Sequence, residues 1–176
     1  MGGIGITNLN FKGLGKDVTI YPLAKIVKEE NVEIGDHSKI DDFVFINGGK
    51  GTRIGRYVHI ASFVSIIGGG ELEIGDYGAV ACGARIITGT NTYKGGKRMS
   101  ASLPLSQQGL EIGKVVIGKD AFIGTNVVIH PNVVIGEGAV IGSNSLVLGD
   151  VEPWSINIGS PSKKVGTRER VQLPDI

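Results

Sequence analysis

Aliphatic residues recur every sixth position over the second half of this chain, and few folds tolerate that interval. The run is Ile117, Ile123, Ile129, Ile135, Ile141 and Val147. Four residues after each comes a small or branched side chain: Ala121, Val127, Val133, Ala139, Ser145 and Val151. Glycine follows directly in Ile117-Gly118, Ile123-Gly124, Ile135-Gly136 and Ile141-Gly142. An interval of six fits neither the 3.6-residue period of a helix nor simple two-residue alternation. It fits a chain that lays down a short flat strand, turns a corner and repeats, so that three hexads close one triangular coil. The aliphatic residue then points inward, and the small residue packs where the chain turns.

The first half carries the same signal with a longer stride. Leu14-Gly15, Ile34-Gly35, Ile54-Gly55 and Ile74-Gly75 are each twenty positions apart. Between them the hexads start at Ile20 and Ile26, Ile40 and Ile46, Ile60 and Ile66, then Val80 and Ile86. The two extra residues always fall in the third hexad, so they are expected to stack at one corner of the prism. The predicted fold is all-β: a left-handed parallel β-helix of about six triangular coils, spanning residues 14–159. Residues 1–13 are expected to cap the first coil, because the open edge of a solenoid needs covering. The pattern breaks once, between Ile86 and Ile117, which predicts an excursion loop over residues 88–114. Long excursions from compact domains are commonly functional. Pro153 ends the repeats, and residues 160–176 form a charged tail, either a short helix or an extended strap.

Composition narrows the partners. With 18 Lys plus Arg against 17 Asp plus Glu, the formal charge of the 176 residues is +1. No global basic field is available for nucleic acid or an anionic membrane. The single cysteine, Cys82, excludes an intramolecular disulfide framework and suits a reducing compartment. No apolar run has the length of a membrane span. A cytoplasmic domain is the expectation.

The stretch from Ile123 to Val165, ending Gly159-Ser160-Pro161-Ser162-Lys163, resembles the terminal signature of the hexapeptide-repeat acyltransferases, whose members include sugar and amino-sugar acetyltransferases. The resemblance covers about residues 14–165. It implies a homotrimer, with acetyl-CoA as co-substrate in the groove between neighbouring prisms. On that resemblance Gly124-Thr125 and Gly142-Ser143 meet the pantetheine arm, and Lys163, with Lys164 as a second candidate, faces the nucleotide phosphates. Leu148-Gly149 stand where many relatives have Thr-Lys, so one customary contact is missing. Trp154 either stacks near adenine or caps the last coil.

Acyl transfer from a thioester needs an unprotonated nucleophile and a donor for the developing oxyanion. Sugar O-acetyltransferases of this family keep a histidine in the excursion loop; the matching stretch here is Thr88-Gly89-Thr90-Asn91-Thr92-Tyr93, without one. That departure argues against hydroxyl acetylation at the loop. His59, in His59-Ile60-Ala61, resembles a histidine that lies near the thioester in amino-sugar N-acetyltransferases. Those relatives add a His-Asp pair just upstream, where this chain has Gly49-Lys50-Gly51, so half of the arrangement is present. The resemblance therefore implies acetyl-CoA-dependent N-acetylation of an amino sugar, nucleotide-linked, in surface-polysaccharide biosynthesis. His59 and Asn91 are the catalytic candidates; Tyr93, Lys97 and Arg98 are candidates for the sugar and its diphosphate. Sugar O-acetylation and a non-catalytic β-helix scaffold are the alternatives. No metal is expected, since His37, His59 and His130 lack the spacing of a three-histidine zinc site.

Overall fold

The computed structural model describes residues 10–176; residues 1–9, most of the expected cap, lie outside the described residues. The parallel β-helix is present. Strands of two to four residues form three sheets, each stacking parallel strands from successive coils. The first face carries Gly13–Leu14, Val32–Ile34, Gly51–Ile54, Glu71–Ile74, Lys114–Ile117 and Val134–Ile135. The second runs from Thr19–Ile20 through Lys39–Ile40, His59–Ile60, Ala79–Val80 and Phe122–Ile123 to Val140–Ile141 and Ser155–Ile158. The third stacks Lys25–Val27, Phe45–Asn47, Ser65–Ile67, Arg85–Ile87, Val128–Ile129 and Leu146–Val147. That makes six complete coils and the start of a seventh. Among the described residues the only helical turns are the short 3-10 segments Glu29–Asn31 and Leu105–Gln107.

The hexad rule explains the core. Ile40, Ile46, Ile60, Ile66, Ile86, Ile123, Ile129, Ile135 and Ile141 are fully buried, each stacked on its counterpart one coil away. Burying one such side chain contributes about 1.5–3 kcal/mol, so the column of isoleucines is the dominant stabilising term. Polar groups at the second inward position are satisfied. Ser38 Oγ donates to Gly55 O at 2.8 Å and accepts from Val58 N at 3.0 Å, while Ser145 Oγ donates to Gly142 O at 2.6 Å. Phe11 packs against the first coil, inside the segment expected to cap it.

At the corner between the first and second faces one residue per coil adopts a positive φ: Asp17, His37, Tyr57, Tyr77, Asp120, Gly138 and Trp154. The aromatic members stack, His37 on Tyr57 at 4.8 Å and Tyr57 on Tyr77 at 5.5 Å between ring centroids. Gly138 is the member without a side chain because a Cβ there would stand 2.3 Å from the Trp154 ring. The two extra residues per early coil do stack at the corner between the third and first faces, where Lys28, Gly49 and Gly68 take positive φ.

The excursion leaves at that same corner after the fourth coil. Its neck is tied by Thr88, whose Oγ1 donates to Ile67 O and accepts from Gly70 N, both at 2.9 Å, and whose O accepts from Gly113 N at 2.8 Å. Gly89–Asn91 then pairs antiparallel with Leu110–Ile112. The coil resumes at Lys114 rather than after it, because Lys114 pairs with Glu71 in the first face. The tail also begins differently from the expectation. Lys163–Thr167 folds back antiparallel on Ser155–Ile158, closing the exposed edge of the second face. Beyond it the chain is an extended strap, without helix, running back over the first corner. Arg168 Nη1 donates to Asp120 O at 2.6 Å, and Arg168 and Arg170 lie 5.8 and 5.6 Å from the Trp154 ring.

Candidate active site

The corner between the second and third faces brings several candidates into line. Thr125 and Ser143 occupy the same position in successive coils, both exposed, and Asn144 N donates to Thr125 O at 2.8 Å. Cys82, Ser62 and Asp42 continue this row towards the N-terminal coils, joined by backbone bonds such as Asn126 N to Cys82 O at 3.0 Å. Gly124 and Gly142 precede the two hydroxyl residues and have a packing reason of their own. A Cβ on Gly124 would meet Ile141 O at 2.6 Å, and one on Gly142 would meet Ile158 at 2.5 Å. They let the coils approach and leave the corner low-walled.

The hairpin at the chain end places Lys163 at the C-terminal end of this corner: Lys163 pairs with Ile158, and Ser162 N donates to Leu146 O at 2.8 Å. Lys163 and Lys164 are both exposed, but their surroundings differ. Lys164 Nζ is 2.6 Å from Glu152 Oε2, and that lysine's hydrogen bond and charge hold the Glu152 carboxyl below its ordinary range. Trp154 sits at the other corner beneath Arg168 and Arg170, which makes it part of the end cap rather than of this row.

His59 lies on the second face, in the strand leading into the same corner, with a half-exposed side chain. Its Nε2 is 3.0 Å from Asp41 Oδ2. Asp41 lies in the preceding coil. Asp41 is also 3.7 Å from Lys39 Nζ, and Lys39 lies over the Tyr21 ring at 5.1 Å. The Lys39 ammonium is pushed up from its ordinary value, first by its hydrogen bond with Tyr21 and then by the Asp41 charge. Tyr21, Lys39, Asp41, Asp42 and Ser62 line a shallow cavity beside this cluster. The periodicity contained the signal for Asp41. One coil is twenty residues here, so Lys39 is the ladder neighbour of His59, and Asp41 is the next outward side chain beyond it.

Within one chain the structure does not bring Asn91 to His59, since the hairpin leaves from the far end of the third face. Asn91 Nδ2 donates to Met99 O at 3.0 Å, but its Oδ1 is shut off from solvent with no hydrogen-bond partner. An acceptor left unpaired in this way costs about 1–3 kcal/mol. Tyr93 is almost fully exposed at the hairpin end. Lys97 Nζ donates to Ser106 O at 3.0 Å, so that side chain is held by the loop itself, whereas Arg98 is tied through its backbone, its N donating to Gln107 O at 2.9 Å. Among the described residues, no group of three or more His, Cys, Asp or Glu is gathered as a metal site would require. No helix among the described residues is long and apolar enough to cross a membrane.

A coiled prism with a low-walled corner, a basic hairpin at one end and a histidine on the adjoining face is the architecture of a hexapeptide-repeat transferase. Known proteins agree: the profile of the family described as bacterial transferase hexapeptide (six repeats) matches residues 114–149. The dTDP-4-amino-4,6-dideoxy-D-glucose acyltransferase of Escherichia coli is 34% identical over 172 residues, covering 97% of this chain and 89% of that protein. The crystal structure of AntD, an N-acyltransferase from Bacillus cereus in complex with dTDP and 3-hydroxybutyryl-CoA, superposes with a TM-score of 0.87. It shares 32% identity, over 91% of this chain and 85% of that one. A hexapeptide-repeat acetyltransferase from Vibrio cholerae, complexed with acetyl coenzyme A, shares the fold at a TM-score of 0.63 and 23% identity, over 91% of this chain and 73% of that one. The chain belongs to the hexapeptide-repeat acyltransferase family.

Proposed function

We propose that this protein is an acyl-CoA-dependent N-acyltransferase, acetyl in the first instance, whose acceptor is the amino group of a nucleotide-linked amino sugar, with dTDP as the leading nucleotide. The reading is supported by the relation to the Escherichia coli enzyme over nearly the whole chain. The structural observation that carries it is the register of one corner. Thr125 and Ser143 lie in line, Lys163 stands at one end, and the face bearing His59 adjoins the other. The acyl-CoA would lie along that corner with its phosphates towards Lys163 and its thioester towards the fourth coil. The amine nitrogen attacks the thioester carbonyl carbon, the carbon–sulfur bond breaks, and the ammonium proton is taken by His59 before passing to the departing thiolate.

A homotrimer completes the arrangement, because the hairpin of one protomer would then overhang the corner of its neighbour. Asn91 would orient the acceptor or the thioester oxygen, and Tyr93, Lys97 and Arg98 would meet the sugar hydroxyls and diphosphate. The product would feed surface-polysaccharide assembly in the cytoplasm, a compartment in keeping with the free thiol of Cys82. The excursion has no histidine, which disfavours O-acetylation there.

The test is thiol release from acetyl-CoA with dTDP-4-amino-4,6-dideoxyglucose, against the same nucleotide sugar carrying a hydroxyl in place of the amine. Turnover with the amine alone supports the reading. Turnover with the hydroxyl compound alone points to O-acylation. Absence of both, in a folded trimer that binds no acyl-CoA, leaves a scaffold.

A further inference from the structure

We infer that Asp41 is a positioning residue for His59, fixing which ring nitrogen is free to take the acceptor's proton; this rests on the function proposed above. A carboxylate oxygen has no proton to donate, so at 3.0 Å the Asp41 Oδ2 requires the proton on His59 Nε2. The other neutral tautomer would set two lone pairs face to face. Nδ1 is thereby left as the acceptor of the imidazole. Orientation through a hydrogen bond to the non-reacting nitrogen is a general way of preparing a histidine as a base.

Both partners are held on rigid backbone. His59 N donates to Gly78 O at 3.1 Å and Asp41 N donates to Ile60 O at 2.9 Å, each a rung between stacked coils. Asp41 is the less exposed of the pair, with 23% of its side-chain surface accessible against 49% for His59. Lys39 Nζ lies 3.7 Å from Asp41 Oδ1 and stands over the Tyr21 ring at 5.1 Å. Tyr21, Lys39, Asp41 and His59 thus form one connected set across three coils. On the opposite flank of His59 the ladder partner is Ala79, whose methyl group leaves room on the side of the coils that carry Thr125 and Ser143. The held nitrogen of the ring thus faces the preceding coil, which carries Asp41.

In the reaction itself, the amine nitrogen forms its bond to the carbonyl carbon as the carbon–sulfur bond breaks. Its proton moves to Nδ1 and then to the coenzyme A thiolate, so the imidazole ends neutral, with the Nε2 proton never leaving the Asp41 bond.

Asp41→Asn tests this, since it keeps the shape and offers an amide N–H where the carboxylate accepted. The expected result is a fall in kcat of at least about tenfold with KM for acetyl-CoA within about twofold. Nitrogen NMR of labelled histidine should show His59 leaving the Nε2–H tautomer. Asp41→Glu, which retains an accepting carboxylate, should keep that tautomer and recover much of kcat. Unchanged kcat in Asp41→Asn would overturn the inference, and so would a lost kcat with the tautomer unaltered. A wild-type protein that transfers to no nucleotide-linked amino sugar would instead overturn the function on which this role depends, and the role with it.

Discussion

Lys119 Nζ lies 2.6 Å from both carboxylate oxygens of Asp175, joining the fifth coil to a residue near the end of the strap. The strap is also held by Arg168 on the Asp120 carbonyl, by the two arginines at Trp154, and by Ile176, whose N donates to Tyr77 Oη at 2.8 Å and whose O accepts from Tyr77 Oη at 2.9 Å and from Arg56 Nη1 at 3.3 Å. It covers no part of the isoleucine column. Asp175→Asn should therefore raise the rate of proteolytic cleavage within residues 168–176 by about two- to fivefold, with the thermal midpoint of the prism unmoved. An equal loss of midpoint would show that the strap is integral to the coils. The Lys119 ammonium is raised above 10.5, chiefly by its hydrogen bond to Asp175. Its contribution is then complete below that value and fades as the pH climbs through the raised one, so cleavage should also accelerate in strong alkali.

Arg56 grips Asp76 with Nε at 3.0 Å and Nη2 at 2.9 Å, and its backbone N–H donates to the same carboxylate at 2.8 Å. Burial opposes ionisation of Asp76, but these bonds and the Arg56 charge outweigh it and hold the carboxyl below 3.8. A depressed carboxyl contributes stability that is present above the ordinary value and disappears as the pH falls through the lowered one. Melting curves of Asp76→Asn should lie below wild type at neutral pH and converge with it under strongly acidic conditions. Parallel curves down to the lowest pH would remove Asp76 from the account of acid sensitivity.

Scaffold and ligand roles should separate at adjacent positions. Gly124→Ala forces a methyl group against the Ile141 carbonyl at 2.6 Å, so it should destabilise by about 1–3 kcal/mol. Thr125→Trp stands on the exposed corner and should leave the denaturation midpoint alone while abolishing saturable acetyl-CoA binding in calorimetry. Binding that survives the tryptophan would move the coenzyme to another groove.

The two lysines of the end hairpin make unequal predictions because Glu152 already engages Lys164. Lys163→Ala should weaken coenzyme A binding by about three- to tenfold at low salt, an effect that shrinks as ionic strength rises. Lys164→Ala should change affinity less. The reverse order would mean that Glu152 releases Lys164 to the ligand.

The prism was legible because its signal is periodic: Ile123, Ile129 and Ile135 announce both the inward direction and the six-residue step. The loop was legible as an interruption, although its last residue pairs one position earlier than expected, at Lys114. The partner of His59 was missed for a different reason. The local stretch Gly49-Lys50-Gly51 carries no trace of it, because in a solenoid neighbours in space lie one coil away in sequence. The strap and the Lys163–Thr167 strand left no periodic trace, since their contacts are single ion pairs, arginine–ring contacts and one antiparallel rung set. Asn91 was readable as polar, but its unpartnered oxygen was not.

The column of stacked coils also works as a ruler. Each step along a face is about 4.8 Å, set by the hydrogen bonds between strands, and no side-chain substitution can stretch it. His59 stands in the third coil, Thr125 in the fifth and Ser143 in the sixth, so three steps, or about 14 Å, separate histidine and serine along the axis. Point changes along the corner can alter grip or width. Matching a longer or shorter ligand requires gaining or losing a whole coil, and relatives of this chain should vary in length by such quanta.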